Sequence, residues 1–380
     1  MKVFKNVNAY VENKGVIKTD ISFEDKITGF SADKSGEIIE IPEDAAVLPA
    51  FIDTHVHGAG GADAMDGSRE ALSVIAETLA KEGTASFLAT TMTQSPENII
   101  RALSAVKEYM SAAPDTGAKI LGVHLEGPFI AEKFKGAQPL EYVAAPDIKV
   151  FEKYNEAAGG AIKIVTMAPE TEGAEDFIKY LAKNHIIASI GHTAAKYADV
   201  ERAVAAGAKN VTHTYNAQSP LHHRDIGVVG SALLIDGLQT EVIADTIHVS
   251  VPALKLLVKN KPADKVTLIT DAMRAKGMPD GESELGGQKV FVKNGEARLI
   301  DGTLAGSVLR MNAAVRNMVL KAGVPFERAV DFASLNPAKE LGIADKKGSI
   351  APGKDADFTV LDGEFNVLMT IRAGKIIYRA

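Results

Sequence analysis

Eight short apolar runs alternate with longer segments of helical periodicity through the middle of the chain. Each run has four to eight residues, which suits strands buried on both faces of a parallel sheet. Eight strand–helix units predict an α/β fold, a (β/α)8 TIM-like barrel. A doubly wound parallel sheet is the alternative, since periodicity alone does not separate the two folds. The runs are Val47–Ile52, Ala85–Thr90, Lys119–Leu125, Ala161–Met167, Ile186–Ile190, Asn210–His213, Thr240–Ala244 and Val266–Thr270.

The segments between these runs carry apolar residues at helical spacing. Ser95 and Pro96 begin one predicted helix, because serine caps a helix N-terminus and proline suits its first position. The last helix, Ala313–Ala322, follows a long excursion from Met273 to Leu309 that is rich in glycine. We interpret that excursion as a surface insertion. The other predicted helices contain Ala71–Leu79, Ile99–Val106, Phe177–Leu181, Val200–Val204 and Leu254–Val258.

The two ends of the chain differ from its middle and resemble each other. Both read as short strands separated by turn sequences such as Asn13-Lys14-Gly15 and Lys34-Ser35-Gly36. We therefore predict a β-sandwich of which residues 1–46 form one part and residues 344–380 the other. Residues 47–343 form the predicted barrel.

Composition excludes several classes of protein. Lys and Arg number 42 against 49 Asp and Glu, so the formal net charge of −7 argues against binding to nucleic acid or an anionic membrane. Cysteine is absent, which excludes disulfides, thiolate metal sites and a cysteine nucleophile. No apolar run approaches the roughly 18 residues of a membrane span, and the first residues lack a secretion signal. We expect a cytoplasmic protein.

Histidines and carboxylates gather at the C-terminal ends of the predicted strands. The first strand leads into Asp53-Thr54-His55-Val56-His57, where two histidines two residues apart face the same side. Later strand ends supply Glu126, His192, His213, His248 and Asp271. All these ends meet at one mouth of a TIM barrel, and imidazole and carboxylate groups bind divalent metals. The sequence therefore predicts a metal centre at this mouth.

This combination resembles the amidohydrolase superfamily, whose members hydrolyse amides and esters with one or two metals in a (β/α)8 barrel. Their accompanying β-sandwich is built from both chain ends. Longer motifs resemble the family of N-acetylglucosamine-6-phosphate deacetylases, and this resemblance covers nearly the whole chain. The motifs are His124-Leu125-Glu126-Gly127-Pro128-Phe129, Thr212-His213-Thr214-Tyr215-Asn216-Ala217, Thr270-Asp271-Ala272-Met273 and Gly302-Thr303-Leu304-Ala305-Gly306-Ser307.

The resemblance implies a set of metal ligands. Many binuclear amidohydrolases bridge their metals with a modified lysine, but Lys163 lies too early in its strand, so Glu126 is the expected bridging ligand. A histidine pair present only in some members is also present here, so we expect two divalent ions per chain. Zn, Fe, Mn and Co all accept such ligands, which leaves the metal open. The implied ligands are His55, His57, Glu126, His192, His213 and Asp271.

The resemblance also implies catalytic and substrate-binding residues. Asp271 matches the catalytic aspartate. Arg224 and His248 match contacts to a phosphate, and in this family Arg224 serves a neighbouring subunit of a homodimer. Gln138 stands where some members carry histidine; glutamine can donate a hydrogen bond but cannot titrate. The full set of implied substrate contacts is Ala137, Gln138, Asn216, Ala217, Arg224, His248 and Leu304.

The expected reaction is metal-dependent hydrolysis of the acetamide of N-acetyl-D-glucosamine 6-phosphate to D-glucosamine 6-phosphate and acetate. Metal-activated hydroxide would attack the acetyl carbon, and Asp271 would act as acid and base. Such a role belongs to amino-sugar catabolism and cell-wall recycling, with a small sugar phosphate as the ligand. Two alternatives stay open: an amidohydrolase acting on acylamino acids or nucleobases, and a non-catalytic scaffold.

Four other histidines are weaker candidates. His124 is interpreted either as a residue behind the metal ligands or as a hydrogen-bonded core histidine. His222 and His223 are loop residues beside Arg224, and His185 is expected to be structural.

Overall fold

A computed structural model describes residues 1–31 and 36–380 of the chain. The framework of this part consists of two eight-stranded sheets and ten α-helices. The predicted turn residues Lys34 and Ser35 lie outside the described residues. The strands are β1 Lys2–Val11, β2 Gly15–Phe23, β3 Ile27–Gly29, β4 Glu37–Ile38, β5 Ala46–Pro49, β6 Phe51–Val56, β7 Gly58–Ala59, β8 Ala62–Asp63, β9 Thr84–Thr91, β10 Lys119–Glu126, β11 Ile162–Met167, β12 Ile187–Ile190, β13 Asn210–Val211, β14 Gln239–Ile243, β15 Val266–Ile269, β16 Gly281–Leu285, β17 Gln288–Lys293, β18 Glu296–Leu299, β19 Phe358–Leu361, β20 Val367–Arg372 and β21 Lys375–Arg379. The helices are α1 Arg69–Ala80, α2 Pro96–Ala112, α3 Ile148–Ala157, α4 Ala174–Lys183, α5 Tyr197–Ala206, α6 Gly227–Leu234, α7 Val251–Asn260, α8 Met311–Leu320, α9 Phe326–Ala333 and α10 Leu335–Glu340.

Eight parallel strands form the barrel, in the order β6-β9-β10-β11-β12-β13-β14-β15. The ring closes between its first and last strands through the backbone. Asp271 N donates to His55 O over 2.8 Å, and His57 N donates to Ala272 O over 2.9 Å. The predicted (β/α)8 barrel is confirmed, since a doubly wound sheet would keep two open edges.

The helices lie around the barrel and present apolar faces to it. The predicted start of α2 is confirmed, because the Ser95 side chain accepts a hydrogen bond from Asn98 N and Pro96 occupies the first turn. Of the predicted helices, the last begins two residues earlier than expected, at Met311. Helices α3, α6, α9 and α10 were not among those predicted from periodicity.

The first predicted barrel strand, Val47–Ile52, is divided between the two sheets. Strand β5 ends at Pro49 and pairs with β1 and β19 in the terminal sheet, whereas β6 begins at Phe51 in the barrel. Pro49 has no backbone N–H to continue the ladder, so the chain passes from one sheet to the other at this point. A continuous apolar run cannot reveal the change, because both sheets bury it.

The interpretation of Met273–Leu309 as a surface insertion is wrong. Strands β16, β17 and β18 form an antiparallel sheet in this segment. Alternate residues of β17, Val290 and Val292, point inward. They belong to a buried apolar cluster that includes Met92 and Ala137 from the barrel mouth. The segment therefore packs over the mouth.

Strands from both chain ends build the terminal sheet, in the order β21-β20-β19-β5-β1-β2-β3 with β4 beside β1. Its core contains a cluster of three rings, since Phe4 and Phe23 lie 5.3 Å apart and Phe358 lies 5.6 and 5.0 Å from them. The boundaries at 46/47 and 343/344 stay predictions. None of the helices in the described ranges is long and apolar enough to cross a membrane.

Candidate active site

Six ligand-type side chains meet at the C-terminal mouth of the barrel. They come from the ends of five strands that are separated widely along the chain. The six are His55 on β6, His57 directly after β6, Glu126 at the end of β10, His192 after β12, His213 after β13 and Asp271 after β15. All except Asp271 are buried, and the Asp271 side chain is 13% exposed.

Three of these residues have left-handed backbones just beyond the strands. His192 has φ 47°, His213 has φ 28° and Asp271 has φ 47°. Residues other than glycine adopt positive φ uncommonly, and such strained residues cluster at functional sites. The turn takes each side chain out of the alternation of its strand and over the mouth.

The Glu126 carboxylate lies at the centre of the cluster. Its Oε1 lies 3.2 Å from His192 Nε2 and 3.1 Å from His213 Nε2. The same oxygen lies 3.4 Å from His55 Nε2, and Oε2 lies 3.2 Å from His57 Nε2. Glu126 therefore has the position expected of a bridging group.

The cluster divides into two groups whose ligand atoms lie within 4.8 Å of one another. Site A is His55, His57 and Asp271, and site B is Glu126, His192 and His213. His55 Nε2 is buried and has no hydrogen-bond partner among the described residues, although it lies 3.5 Å from Asp271 Oδ1. A lone nitrogen that faces two carboxylates fits a cation ligand, so the residues present suit a divalent metal.

The charges of the cluster shift its pKa values in opposite directions. Burial alone would lower the pKa of His55, but the charges of Asp271 and Glu126 raise it to about 9. Burial would also lower the pKa of His57, but hydrogen bonds to the carboxylates of Asp271 and Glu126 raise it well above its ordinary value. Burial would raise the pKa of Asp271, yet the charge of His55 and a hydrogen bond from His57 lower it to about 2. In the metal-free protein, protons on His55 and His57 thus supply the positive charge that a metal ion at site A would supply.

The outer nitrogens of the histidines have different partners in the two sites. In site B, His192 Nδ1 lies 2.8 Å from Phe134 O and His213 Nδ1 lies 3.1 Å from Asn216 O. In site A, His55 Nδ1 lies 3.2 Å from Oε2 of Glu241. Glu241 was not among the site residues predicted from the sequence. An acidic residue inside the apolar run Thr240–Ala244 is nevertheless unusual enough to indicate a buried polar contact.

His124 is a hydrogen-bonded core histidine. Its Nδ1 lies 3.0 Å from Thr54 O and its Nε2 lies 2.7 Å from Thr166 Oγ1, so both ring nitrogens are engaged. Burial and the charge of His55 lower its pKa to about 4. His124 packs against the His55 ring with centroids 4.4 Å apart and has no free nitrogen for a metal.

A cavity of about 330 Å³ opens above the cluster, a volume suited to a small ligand. Six of the seven predicted substrate contacts line it: Ala137, Gln138, Asn216, Ala217, His248 and Leu304. Arg224 is not among the lining residues of the described chain. It is exposed, and its Nη1 lies 2.9 Å from His223 Nε2.

Hydrogen bonds fix two of the lining side chains. Gln138 Nε2 donates to Glu126 Oε2 over 2.8 Å, and its Oε1 accepts from Thr93 N over 2.7 Å. His248 Nδ1 lies 2.6 Å from Asp245 Oδ2, which leaves the other ring nitrogen for a ligand. The structure therefore holds Gln138 beside the bridging carboxylate and His248 at the wall.

Seven lining residues were predicted neither as metal ligands nor as substrate contacts: Met92, Lys133, Phe134, Gly136, Leu285, Thr303 and Gly306. Leu285, Thr303 and Gly306 come from the segment misread as a surface insertion. Elsewhere, Lys163 and His185 line a separate cavity at the other end of the barrel, remote from the metal ligands. His222 and His223 are exposed, with ring centroids 4.2 Å apart.

A family model described as the amidohydrolase family matches residues 46–377 of this chain. The chain belongs to the amidohydrolase family. Amidohydrolases are metal-dependent, in agreement with the two groups of ligand-type side chains at the barrel mouth.

Individual amidohydrolases resemble this chain over most of its length. It is 44% identical to the N-acetylglucosamine-6-phosphate deacetylase of Bacillus subtilis (strain 168) over 383 aligned residues, which cover 99% of this chain and 97% of the relative. It is 40% identical to the N-acetylgalactosamine-6-phosphate deacetylase of Escherichia coli O157:H7, over 85% of this chain and 86% of that one. The crystal structure of the N-acetylglucosamine-6-phosphate deacetylase of Thermotoga maritima matches with a TM-score of 0.90, 34% identity and complete coverage of both chains.

Proposed function

We propose that this amidohydrolase hydrolyses the acetamide of N-acetyl-D-glucosamine 6-phosphate to D-glucosamine 6-phosphate and acetate. One observation carries the proposal: six metal-ligand side chains meet beneath a small cavity in a chain that is 44% identical, nearly end to end, to a relative named for this reaction. The 40% identity to a galactosamine-6-phosphate relative makes the epimeric sugar the second candidate substrate.

Sites A and B would each hold one divalent ion, with Glu126 shared between them. When bound, a divalent metal lowers the pKa of a coordinated water to about 7 and polarises a carbonyl oxygen. The position of Glu126, within 3.4 Å of four histidine nitrogens, supports the bridging role. The identity of the metals remains open among Zn, Fe, Mn and Co.

Asp271 would transfer the proton of the reaction. As an ionised carboxylate it would accept a proton from the attacking water and pass it to the leaving amine nitrogen. Asp271 lines the cavity beside His57, with its Oδ1 3.3 Å from His57 Nε2, and this position supports the assignment of proton transfer to its carboxylate.

The remaining polar residues would bind the sugar phosphate. Gln138 is fixed by Glu126 and Thr93, and its second amide hydrogen can donate to the acetyl group or the sugar. His248, held by Asp245, would contact the phosphate, and Leu304 would pack near the acetyl methyl group.

Arg224 would complete the phosphate site of a neighbouring subunit in a homodimer. Its side chain is exposed and does not line the cavity of its own chain among the described residues. Guanidinium groups suit phosphate oxygens because they offer paired donors.

The test is amine release from N-acetylglucosamine 6-phosphate, N-acetylgalactosamine 6-phosphate and unphosphorylated N-acetylglucosamine by metal-replete protein. We expect a strong preference for the first substrate. Equal turnover with and without phosphate would refute the phosphate site, and no turnover of any of the three would refute the deacetylase.

A mixing experiment tests the role of Arg224 across the dimer. Arg224→Ala should lower kcat/KM for the phosphorylated sugar about 10- to 100-fold, the worth of a hydrogen-bonded charge pair, and leave the unphosphorylated sugar unaffected. Mixing Arg224→Ala with Asp271→Asn subunits should restore activity, because one cavity of the mixed dimer then has both residues intact. Absence of restoration would place Arg224 at its own chain's cavity or outside the site.

A further inference from the structure

Glu241 is an acidic residue buried in the barrel wall, with no exposure to solvent. It lies in the middle of β14, one strand away from the closing seam. Its Oε2 lies 3.2 Å from His55 Nδ1 and 3.4 Å from the backbone N of His213, and its Oε1 accepts from Asn210 Nδ2 over 3.0 Å. Burying a carboxylate is costly unless it is paired and hydrogen-bonded, so these contacts need a reason.

A third metal site does not supply that reason. Glu241 forms a group of ligand-type atoms with His55 and His124. Both nitrogens of His124 are already engaged, with Thr54 O and Thr166 Oγ1. The group therefore offers too few free ligands to hold an ion of its own.

We propose that Glu241 is the positioning residue of site A: it accepts the Nδ1 proton of His55 and so fixes the tautomer whose Nε2 faces Glu126 and Asp271. Histidine can bind a metal only through an unprotonated nitrogen, and the hydrogen bond at the other nitrogen selects which one is free. His55 Nε2 is buried and has no hydrogen-bond partner in the described part of the chain; it lies 3.4 Å from Glu126 Oε1 and 3.5 Å from Asp271 Oδ1. This inference rests on the proposed two-metal function.

The carboxylate is itself held in place. Asn210 donates to the oxygen that His55 does not use, so Glu241 cannot rotate without losing this second bond. In the described part of the chain, the outer nitrogens of the site B histidines face the backbone oxygens of Phe134 and Asn216 instead of a carboxylate. Glu241 meets site B at the backbone N of His213 rather than at a ligand nitrogen, so removal of its charge should weaken metal binding at site A more than at site B.

The experiment is a calorimetric titration of metal-free protein with Mn²⁺ and with Zn²⁺, which measures the affinity of each site. Elemental analysis then gives the number of ions bound per chain. Glu241→Gln keeps the shape and an acceptor oxygen but loses the charge; a second variant, Glu241→Ala, removes both. We expect the second ion to bind about 10- to 100-fold more weakly in Glu241→Gln, the usual cost of losing a partner behind a metal ligand. Glu241→Ala should retain one ion per chain, as His55→Ala should.

Glu340→Gln is the control for altering a buried acid at the opposite end of the barrel, where Glu340 contacts Thr267 and has a buried Oε1. Burial and the charge of Glu241 raise the pKa of Glu340 well above its ordinary value, so this variant controls for changes in packing rather than for loss of charge. It should leave both affinities unchanged. Two ions bound with wild-type affinities by Glu241→Gln, or equal weakening of both sites, would overturn the inference. A wild type that binds only one ion would overturn it as well. A wild type that binds two ions but releases no amine would refute the deacetylase alone.

Discussion

Site A and site B share Glu126 but are built in different ways. His55 lies on β6 and His57 directly follows that strand, and the spacing of two residues turns both side chains to the same side. The histidines of site B lie beyond their strands, on left-handed residues with φ 47° and 28°. The two histidine pairs are thus presented in different ways, although Asp271 of site A also has a left-handed backbone, with φ 47°.

The partners behind the ligands differ as well. His192 and His213 are oriented by neutral backbone oxygens, whereas His55 is oriented by the carboxylate of Glu241. A carboxylate partner raises the basicity of the ligand more than a carbonyl does, but it must be kept buried and bonded. Site A therefore depends on a buried charge far from its own strand in sequence, and it should be the easier site to lose.

The largest effect should follow removal of site B. His192→Ala combined with His213→Ala removes the two histidine nitrogens nearest to Glu126 Oε1, and the resemblance implies that these ligands are common to the whole family. We expect at least about a 10³-fold fall in kcat, because the nucleophile at neutral pH depends on the metal. Deacetylase assays measure the fall in kcat, and circular dichroism shows whether the variant is folded. Activity within tenfold of wild type would show that site A suffices.

A loss of about 10²-fold or more should follow Asp271→Asn, because the variant keeps the shape of the residue but not its proton transfer. Substrate binding and metal content should persist, as calorimetry and elemental analysis can show. Loss of a metal ion in this variant would instead make Asp271 chiefly a ligand of site A, and a near-normal rate would remove its assigned role.

A smaller loss should follow removal of the site A histidines. His55→Ala combined with His57→Ala should lower the metal content from two ions per chain to one and slow the reaction roughly 10- to 100-fold. The comparison with the site B double variant is the decisive one. An unchanged number of metal ions per chain would refute a metal at site A. A rate loss as large as that of the site B variant would show that the two sites contribute equally to the reaction.

Much of this site could be predicted from the sequence, for a reason that concerns topology. Once eight strands are recognised, the barrel brings all their C-terminal ends together, so Glu126, His192 and His213 need no local motif. Six of the seven substrate contacts implied by the family resemblance also line the cavity. The family resemblance supplied the roles that spacing alone could not.

The failures have physical causes too. Val47–Ile52 is apolar throughout, so nothing in it marks the passage between two sheets that both bury it. The segment Met273–Leu309 supplies seven of the nine buried residues of its apolar cluster, and the other two, Met92 and Ala137, are distant in sequence, so the segment alone does not show what it packs against. Glu241 acts through His55, 186 residues away, and only the closed barrel brings the two side chains together.

The smallest expected effect is a pH dependence of the metal-free protein that arises from site A. The pKa of His55 is raised to about 9 in the folded chain, against an ordinary value of 6.5, and that of His57 is raised as well. Below about pH 6.5 the histidines hold protons in both the folded and the unfolded chain, and their stabilisation is fully present. As the pH rises towards 9, only the folded chain keeps the protons, and the stabilisation is lost.

Thermal unfolding of chelator-treated protein between pH 6 and pH 9 measures this effect against the double variant of His55 and His57, in which the titrating groups are absent. The Tm of the wild type should fall relative to that of the variant by about 5 °C across the range, given a few kcal/mol of linkage in a chain of this size. Saturating Mn²⁺ should reverse the trend, because metal binding at site A releases the same protons and so strengthens as the pH rises. Parallel Tm curves for the two metal-free proteins would show that His55 and His57 carry no extra protons, and the electrostatic difference between the two sites would then reduce to the position of Glu241 alone.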